Sequence, residues 1–176
     1  MFILLNGSFG IGKTTAATCL ARELPSAAIS DPEVVGFVLR RVPAWMVGLR
    51  RQPDDYQDMA LWRRLIVHQA RWAYRRAEIV IVPMAFTNRV YLEEFAGALQ
   101  AIAPVRKICL VAPLAVVGER LAARAALEGR PCLSEFELRR SAECVAAHAD
   151  PFFGTPVDAS ADMEAVVAAM RRTAGV

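Results

Sequence analysis

Near the start of the 176-residue chain, Gly7-Ser8-Phe9-Gly10-Ile11-Gly12-Lys13-Thr14 has the residue types and spacing needed to hold a chain of phosphates. Gly7, Gly10 and Gly12 free the backbone from the restriction a Cβ imposes, so successive N–H groups can turn into one concavity and meet phosphate oxygens. Lys13 offers an ammonium to the β- and γ-phosphates, and the Thr14 hydroxyl offers a ligand to magnesium. Glycine-rich turns match this pattern by chance, so the flanking elements decide. Phe2 to Asn6 is an apolar run with the character of a buried strand, and Thr15 to Leu24 has helical character. Strand, loop and helix in that order place the partial positive charge of a helix N-terminus at the phosphates. The whole stretch Gly7, Ser8, Phe9, Gly10, Ile11, Gly12, Lys13, Thr14 and Thr15 therefore reads as a site for ATP with Mg2+.

Further chemistry is distributed behind the loop. Asp31 follows a short strand, Ala27 to Ser30, and precedes Pro32 and Glu33. It can serve as a base for an attacking hydroxyl, hold magnesium through water, or simply cap the helix that Pro32 opens. Glu33 has an ordinary place in a first helical turn. Arg120 and Arg124, four residues apart, share one helix face, and Arg130 follows in a segment rich in breakers; a closing lid would bring such groups onto phosphates. A solvated arginine face is the plainer alternative. Arg139 and Arg140 on the next helix are weaker candidates, while Tyr56 and Gln57 stand where an acceptor pocket is expected.

The elements that must position these residues alternate. After the first strand and helix come a helix from Glu33 to Arg41, an irregular stretch from Val42 to Asp54, and a long helix from Asp54 or Asp55 to about Arg76. That helix carries Arg64, His68, Arg71 and Arg75 opposite an apolar face expected to include Leu61, Leu65 and Trp72. Ile79 to Val82 reads as a central strand, Asn88 to Ala101 as a helix, Val105 to Val111 as a strand and Leu114 to Leu127 as a helix. Ser134 and Glu137 form a capping box for a further helix to about Ala149. A strand near Pro156 to Asp158 precedes a helix from Asp162 to Arg172. The order predicts a single α/β domain over residues 1–176, a doubly wound parallel sheet with its ligand at the carboxyl ends of the strands. The third strand ends in Pro83-Met84 where a magnesium-binding Asp often stands, which disfavours rapid motor-type hydrolysis and favours a kinase-like arrangement.

Composition narrows the classes. Hydrophobic residues make up 55% of the chain, yet charges interrupt every long run, so no spanning segment and no membrane contact are expected. No secretory signal is read at Met1, and the cytoplasm is the expected compartment. The four cysteines lack C-x-x-C spacing and read as reduced thiols, and the two histidines have no ligand-spaced neighbours, which argues against zinc. A formal charge of +3, with the arginines dispersed, gives no nucleic-acid footprint. The apolar helix Val116 to Leu127 would permit a homodimer.

Three segments together, Asn6 to Thr15, Asp31-Pro32-Glu33-Val34-Val35-Gly36-Phe37-Val38-Leu39-Arg40 and Tyr56-Gln57-Asp58-Met59-Ala60-Leu61-Trp62-Arg63, resemble the ATP-binding tunicamycin-resistance proteins, and Val82-Pro83-Met84 is similar too. The resemblance implies a P-loop fold close to nucleoside and nucleotide kinases, with a helical lid. It implies that Gly12, Lys13 and Thr14 bind ATP and magnesium, that Asp31 stands at the position of a base and that Arg120 is a lid arginine. Lys13, Asp31 and Arg120 are thus the expected catalytic residues; beside them Arg124 is expected to contact ATP, and Asp31, Glu33, Arg40, Tyr56 and Gln57 to meet a nucleoside-like acceptor. The implied function is resistance to tunicamycin by phosphate transfer to a hydroxyl, with ATP-dependent sequestration of the drug, or a housekeeping metabolite kinase, as alternatives. Membrane association through the C-terminal end has been proposed within that family. Here Met163, Val166, Val167 and Met170 form an apolar stripe that packing on the sheet explains more simply.

Overall fold

A computed structural model describes residues 1–47, 50, 51 and 55–176. Five parallel strands form one sheet in the order β2-β3-β1-β4-β5: β1 is Phe2–Gly7, β2 Ala27–Ile29, β3 Ile79–Pro83, β4 Val105–Val111 and β5 Thr155–Asp158. β1 lies at the centre, with Phe2 to Leu5 opposite Val80 to Pro83 on one side and Phe2 to Gly7 opposite Val105 to Leu110 on the other. Its side chains are buried on both faces, which is why this strand reads as continuously apolar instead of alternating. Such a sheet has its crevice where the strand order reverses, beside the carboxyl end of β1.

Helices cover both faces. α1 (Lys13–Glu23), α5 (Leu114–Leu127) and α7 (Met163–Ala174) enclose a core of Ile3, Leu5, Leu20, Ile108, Leu110, Val117 and Met170. The stripe on α7 belongs to this core, with Val166, Val167 and Met170 nearly inaccessible. On the other face α2 (Pro32–Arg41), α3 (Ala60–Tyr74) and α4 (Arg89–Gln100) enclose Phe2, Leu4, Trp62, Ile66, Val80, Val82, Phe86, Leu92 and Phe95. α6 (Glu135–Ala147) packs beside α5 and opens with the expected capping box, Ser134 and Glu137 bonding reciprocally. Among the described residues no helix is long and apolar enough to cross a membrane.

Two expectations are corrected in the third helix. The single helix from Asp54 or Asp55 is two elements: a 3-10 turn, Tyr56–Asp58, and then α3 from Ala60. Asp55 caps the turn by accepting from Gln57 N at 2.9 Å, and Met59 is extended, so one hydrogen-bond ladder cannot run through. The apolar face is also turned by one residue. Trp62, Ile66, Ala70 and Ala73 are buried, whereas Leu61 and Trp72 are exposed, Trp72 lying under the Arg76 guanidinium at 3.6 Å. Arg64, His68, Arg71 and Arg75 are exposed as expected. Of the irregular stretch before this helix, Gly48, Leu49, Gln52, Pro53 and Asp54 lie outside the described residues, and Ala44–Val47 form a 3-10 turn.

Candidate functional site

The loop between β1 and α1 has the form its sequence demands. Gly10 and Gly12 take φ of 75° and 99°, values L side chains rarely adopt. Packing adds a second restriction at Gly10, where a Cβ would stand 2.4 Å from Leu121 Cγ on α5. Asp31, Asn88, Ser134 and Asp162 cap α2, α4, α6 and α7 with side chains, but α1 begins at Gly12 with no side-chain cap. Its first N–H groups are thus unclaimed by a side chain, the condition for anion binding at a helix N-terminus.

Lys13 is buried, and its Nζ donates to Ser8 O at 2.7 Å. Burial lowers its pKa from 10.5 to about 8; the fields of Cys144, Glu33, Cys109 and Asp31 act in the opposite direction. Asp31 Oδ1 accepts from Glu33 N at 2.9 Å, so the capping role is realised, and Gln69 Nε2 holds the Asp31 carbonyl at 3.0 Å. Thr14 is exposed in the first turn of α1, and its hydroxyl is an oxygen donor of the kind that suits a hard cation such as Mg2+. The positive-φ glycines, the uncapped helix start and the buried ammonium likewise fit a polyphosphate.

On the acceptor side Tyr56 is buried, with the Arg40 guanidinium 5.2 Å from its ring centroid. Gln57 Nε2 donates to Ala85 O at 3.0 Å, fixing the 3-10 turn to the segment leaving β3. The lid arginines are placed differently from one another. Arg120 reaches the loop and bonds Ile11 O at 2.9 Å and Ala159 O at 2.8 Å, bracing the cradle against the segment after β5. Arg124 points to solvent and pairs with Glu128 at 2.8 Å, so the structure does not bring it to the loop. Arg130 donates to both carboxylate oxygens of Glu137 and, with Ser134, lowers the Glu137 pKa to about 2.

Several participants have faint sequence signals. Asn6, a lone polar residue in an apolar strand, accepts from Phe86 N at 2.9 Å and donates to Phe86 O at 3.1 Å, binding the exit of β3 to β1. His148 Nε2 lies 2.9 Å from the same carbonyl, and burial lowers its pKa, so the ring is neutral with the proton on Nε2. Cys144 is also buried, and burial raises its pKa. Cys109 is pushed up to about 12 by burial, so both thiols stay protonated.

A five-stranded parallel sheet, a glycine loop entering a helix and a lysine at that helix's start define a P-loop, kinase-like protein. A family model described as an AAA domain, AAA_33, matches residues 2–143, and the chain belongs to that family. Its fold is similar to the tunicamycin resistance protein of Deinococcus radiodurans, with a TM-score of 0.76 and 23% identity over 99% of this chain and 96% of that one. It is also similar to a gluconokinase from Sinorhizobium meliloti 1021, with a TM-score of 0.66 and 19% identity over 98% and 93%. A shikimate kinase from Bacteroides thetaiotaomicron gives a TM-score of 0.59 and 18% identity over 100% and 99%. Comparison with curated proteins gave no match.

Proposed function

We propose that this protein binds ATP with Mg2+ and transfers the γ-phosphate to a hydroxyl of a nucleoside-like small molecule, tunicamycin being the first compound to try. The carrying observation is a buried Lys13 ammonium bonded to Ser8 O inside a positive-φ glycine loop, at a helix start with no side-chain cap. That arrangement supports a phosphate cradle with an ammonium within it, and we assign the base to Asp31, the carboxylate that follows β2. Loop N–H groups and Lys13 would hold the β- and γ-phosphates, and Thr14 with a water-bridged Asp31 would hold the cation. Bound Mg2+ would supply charge neutralisation between the phosphates. Asp31 would take the acceptor's proton, and Arg120, already bonded to Ile11 O, would keep the cradle in shape as charge moves.

The fold likeness to proteins named for tunicamycin resistance, gluconate and shikimate supports small-molecule phosphorylation over nucleic-acid or motor chemistry. The apolar Pro83-Met84 at the end of β3 supports the same reading, since no carboxylate stands there to assist hydrolysis. Mass spectrometry of tunicamycin and a nucleoside panel after incubation with ATP and Mg2+ tests it. A phosphate-sized gain abolished by Lys13→Ala and Asp31→Asn is expected. Drug binding that strengthens with ATP but yields no product would replace transfer by sequestration.

A further inference from the structure

A cavity of about 510 Å³ lies between α4, the first half of β4 and the start of β5, at the end of the sheet away from the phosphate loop. Phe2, which opens β1, stands opposite Val105, whereas Gly7 at the loop stands opposite Leu110, so about 16 Å of strand separates the two places. The cavity exists because β5 begins late. Its first residue, Thr155, pairs with Ile108, and Val105, Arg106 and Lys107 have no strand beside them on that edge. Gln100 Oε1 accepts the Val105 N–H at 3.0 Å, which covers part of the edge and leaves the Gln100 amide N–H groups to donate. Gly97, one turn earlier on α4, also lines the cavity. Glycine is the least favourable helix residue after proline, and nothing lies within 4 Å of where a Cβ on Gly97 would stand, so packing does not require it. Its missing side chain leaves room in the cavity.

Of the 21 basic residues only two are lysines, Lys13 in the phosphate loop and Lys107 in the wall of this cavity. Lys107 Nζ donates to Phe152 O at 3.0 Å and lies 4.7 Å from the Phe152 ring centroid, so neutral groups fix it in place while it keeps its charge and two further N–H donors. Arg106 is exposed in the same wall, and neither it nor Lys107 has an ion-pair partner among the described residues. Glu93 is the one carboxylate among the described residues of the lining. The neighbouring charges do not reverse this balance: Asp150, next to Pro151 of the wall, is paired with Arg89, and on α7 Arg171 is paired with Glu23 while Arg172 adds a positive charge. Arg106, Lys107, Gln100 and the Thr155 hydroxyl make one wall rich in donors, which suits an oxyanion. Glu93 repels a second anionic group but accepts from a hydroxyl, as does Thr173, whose own hydroxyl hydrogen goes to Ala169 O. The volume is in the range of small-molecule sites. We infer that this cavity is a second ligand site, separate from the phosphate loop, for a hydroxylated small molecule bearing one oxyanion group, a phosphate monoester or a carboxylate. The oxyanion meets Arg106 and Lys107, and the hydroxyls meet Glu93 and Thr173.

Isothermal titration of the full chain with glucose 6-phosphate, glucuronate and glucose, which share a hexose ring and differ in the anionic group, tests this. Mg2+ and a non-hydrolysable ATP analogue are present to fill the phosphate loop, and Lys13→Ala is titrated in parallel so that an anion held by the loop itself is recognised. One of the two anions should bind both proteins at a single site at least tenfold more tightly than glucose, and the tighter of them names the oxyanion. Lys107→Met and Arg106→Gln should each weaken it by roughly 10- to 100-fold, the range of a hydrogen bond from a charged donor. Gly97→Leu should abolish binding while melting at or above wild type, because leucine is the better helix former and occupies the cavity. That variant decides the matter even where a charge variant folds poorly. Binding of neither anion, affinity no better than that of glucose, loss of binding in Lys13→Ala, or unchanged binding in Gly97→Leu would each overturn the inference. Inorganic phosphate bound as tightly as glucose 6-phosphate would overturn the hydroxylated class of ligand.

Discussion

Lys13 Nζ and Ser8 O, five residues apart in one loop, are joined by a 2.7 Å hydrogen bond, so the ammonium is stored against the backbone of its own cradle. Burial has brought its pKa to about 8, against 10.5 in an unfolded chain. Between these values the unfolded chain binds more protons, so folding stability rises as pH climbs from about 8 toward 10.5, and below pH 8 the buried charge is a standing cost. Lys13→Met should therefore melt higher than wild type at pH 7 without nucleotide, and should lose the alkaline rise. Nucleotide binding should take up a proton near pH 8, seen as a buffer-dependent enthalpy in titration calorimetry, and affinity should fall above that pH. A lower melting temperature for Lys13→Met would refute this account of the loop.

Asp31 caps α2 and is the proposed base, and the two roles separate by substitution. Asparagine caps as well as aspartate, so Asp31→Asn should change stability by less than about 0.5 kcal/mol, while Asp31→Ala should cost about 1 kcal/mol. Transfer should fall in both by roughly 10²- to 10⁴-fold, the range for loss of a general base. Urea melts paired with product assays would show it, and retained turnover in Asp31→Asn would confine the residue to capping.

Arg120 and Arg124 share a helix face but not a role. Arg120 makes two charge-assisted bonds to carbonyls of the loop and of Ala159, so Arg120→Ala should cost about 2–3 kcal/mol and weaken ATP binding. Arg124 is exposed and paired only along its own helix, and Arg124→Ala should change stability by no more than about 0.5 kcal/mol. Equal loss of ATP affinity in both variants would contradict this division.

Gly154, where the chain enters β5, has φ of 138°, and a Cβ would lie 2.7 Å from the Ile108 carbonyl carbon. The obstacle is β4 backbone, which cannot rotate aside. Gly154→Ala should cost roughly 3 kcal/mol or more, combining overpacking with a disallowed φ. A melt within 1 °C of wild type would show that β5 can shift away from β4.

The parallel sheet and the phosphate loop were legible in sequence because both depend on local rules: apolar runs of strand length, and glycines where φ must be positive. Helix starts at Asp31, Asn88, Ser134 and Asp162 were legible for the same reason, each being a capping side chain. The acceptor side was not. Asp55 as cap and Met59 as an extended break act through a single residue each, and a continuous helical pattern runs across both. Arg140 read as one of the weaker arginine candidates, and Cys144 and His148 as residues without a ligand-spaced neighbour. α6 folds back through Arg140, 85 residues on, to Asp55, and through Phe136 to Phe9 of the phosphate loop. Arg124 shows the converse: helical spacing put it beside Arg120, yet Glu128 one turn later holds it at the surface.

Leu121 fills the space a side chain at position 10 would need. In a genetic screen for loss of function, Gly10 would therefore behave as a site constrained from outside the ligand pocket as well as within it. Revertants of Gly10→Ala would be recovered at Leu121, as smaller residues, far more readily than at any group that touches phosphate. Covariation between these two positions across related chains would be the evolutionary trace of the same contact, and would mark the loop and α5 as inherited together.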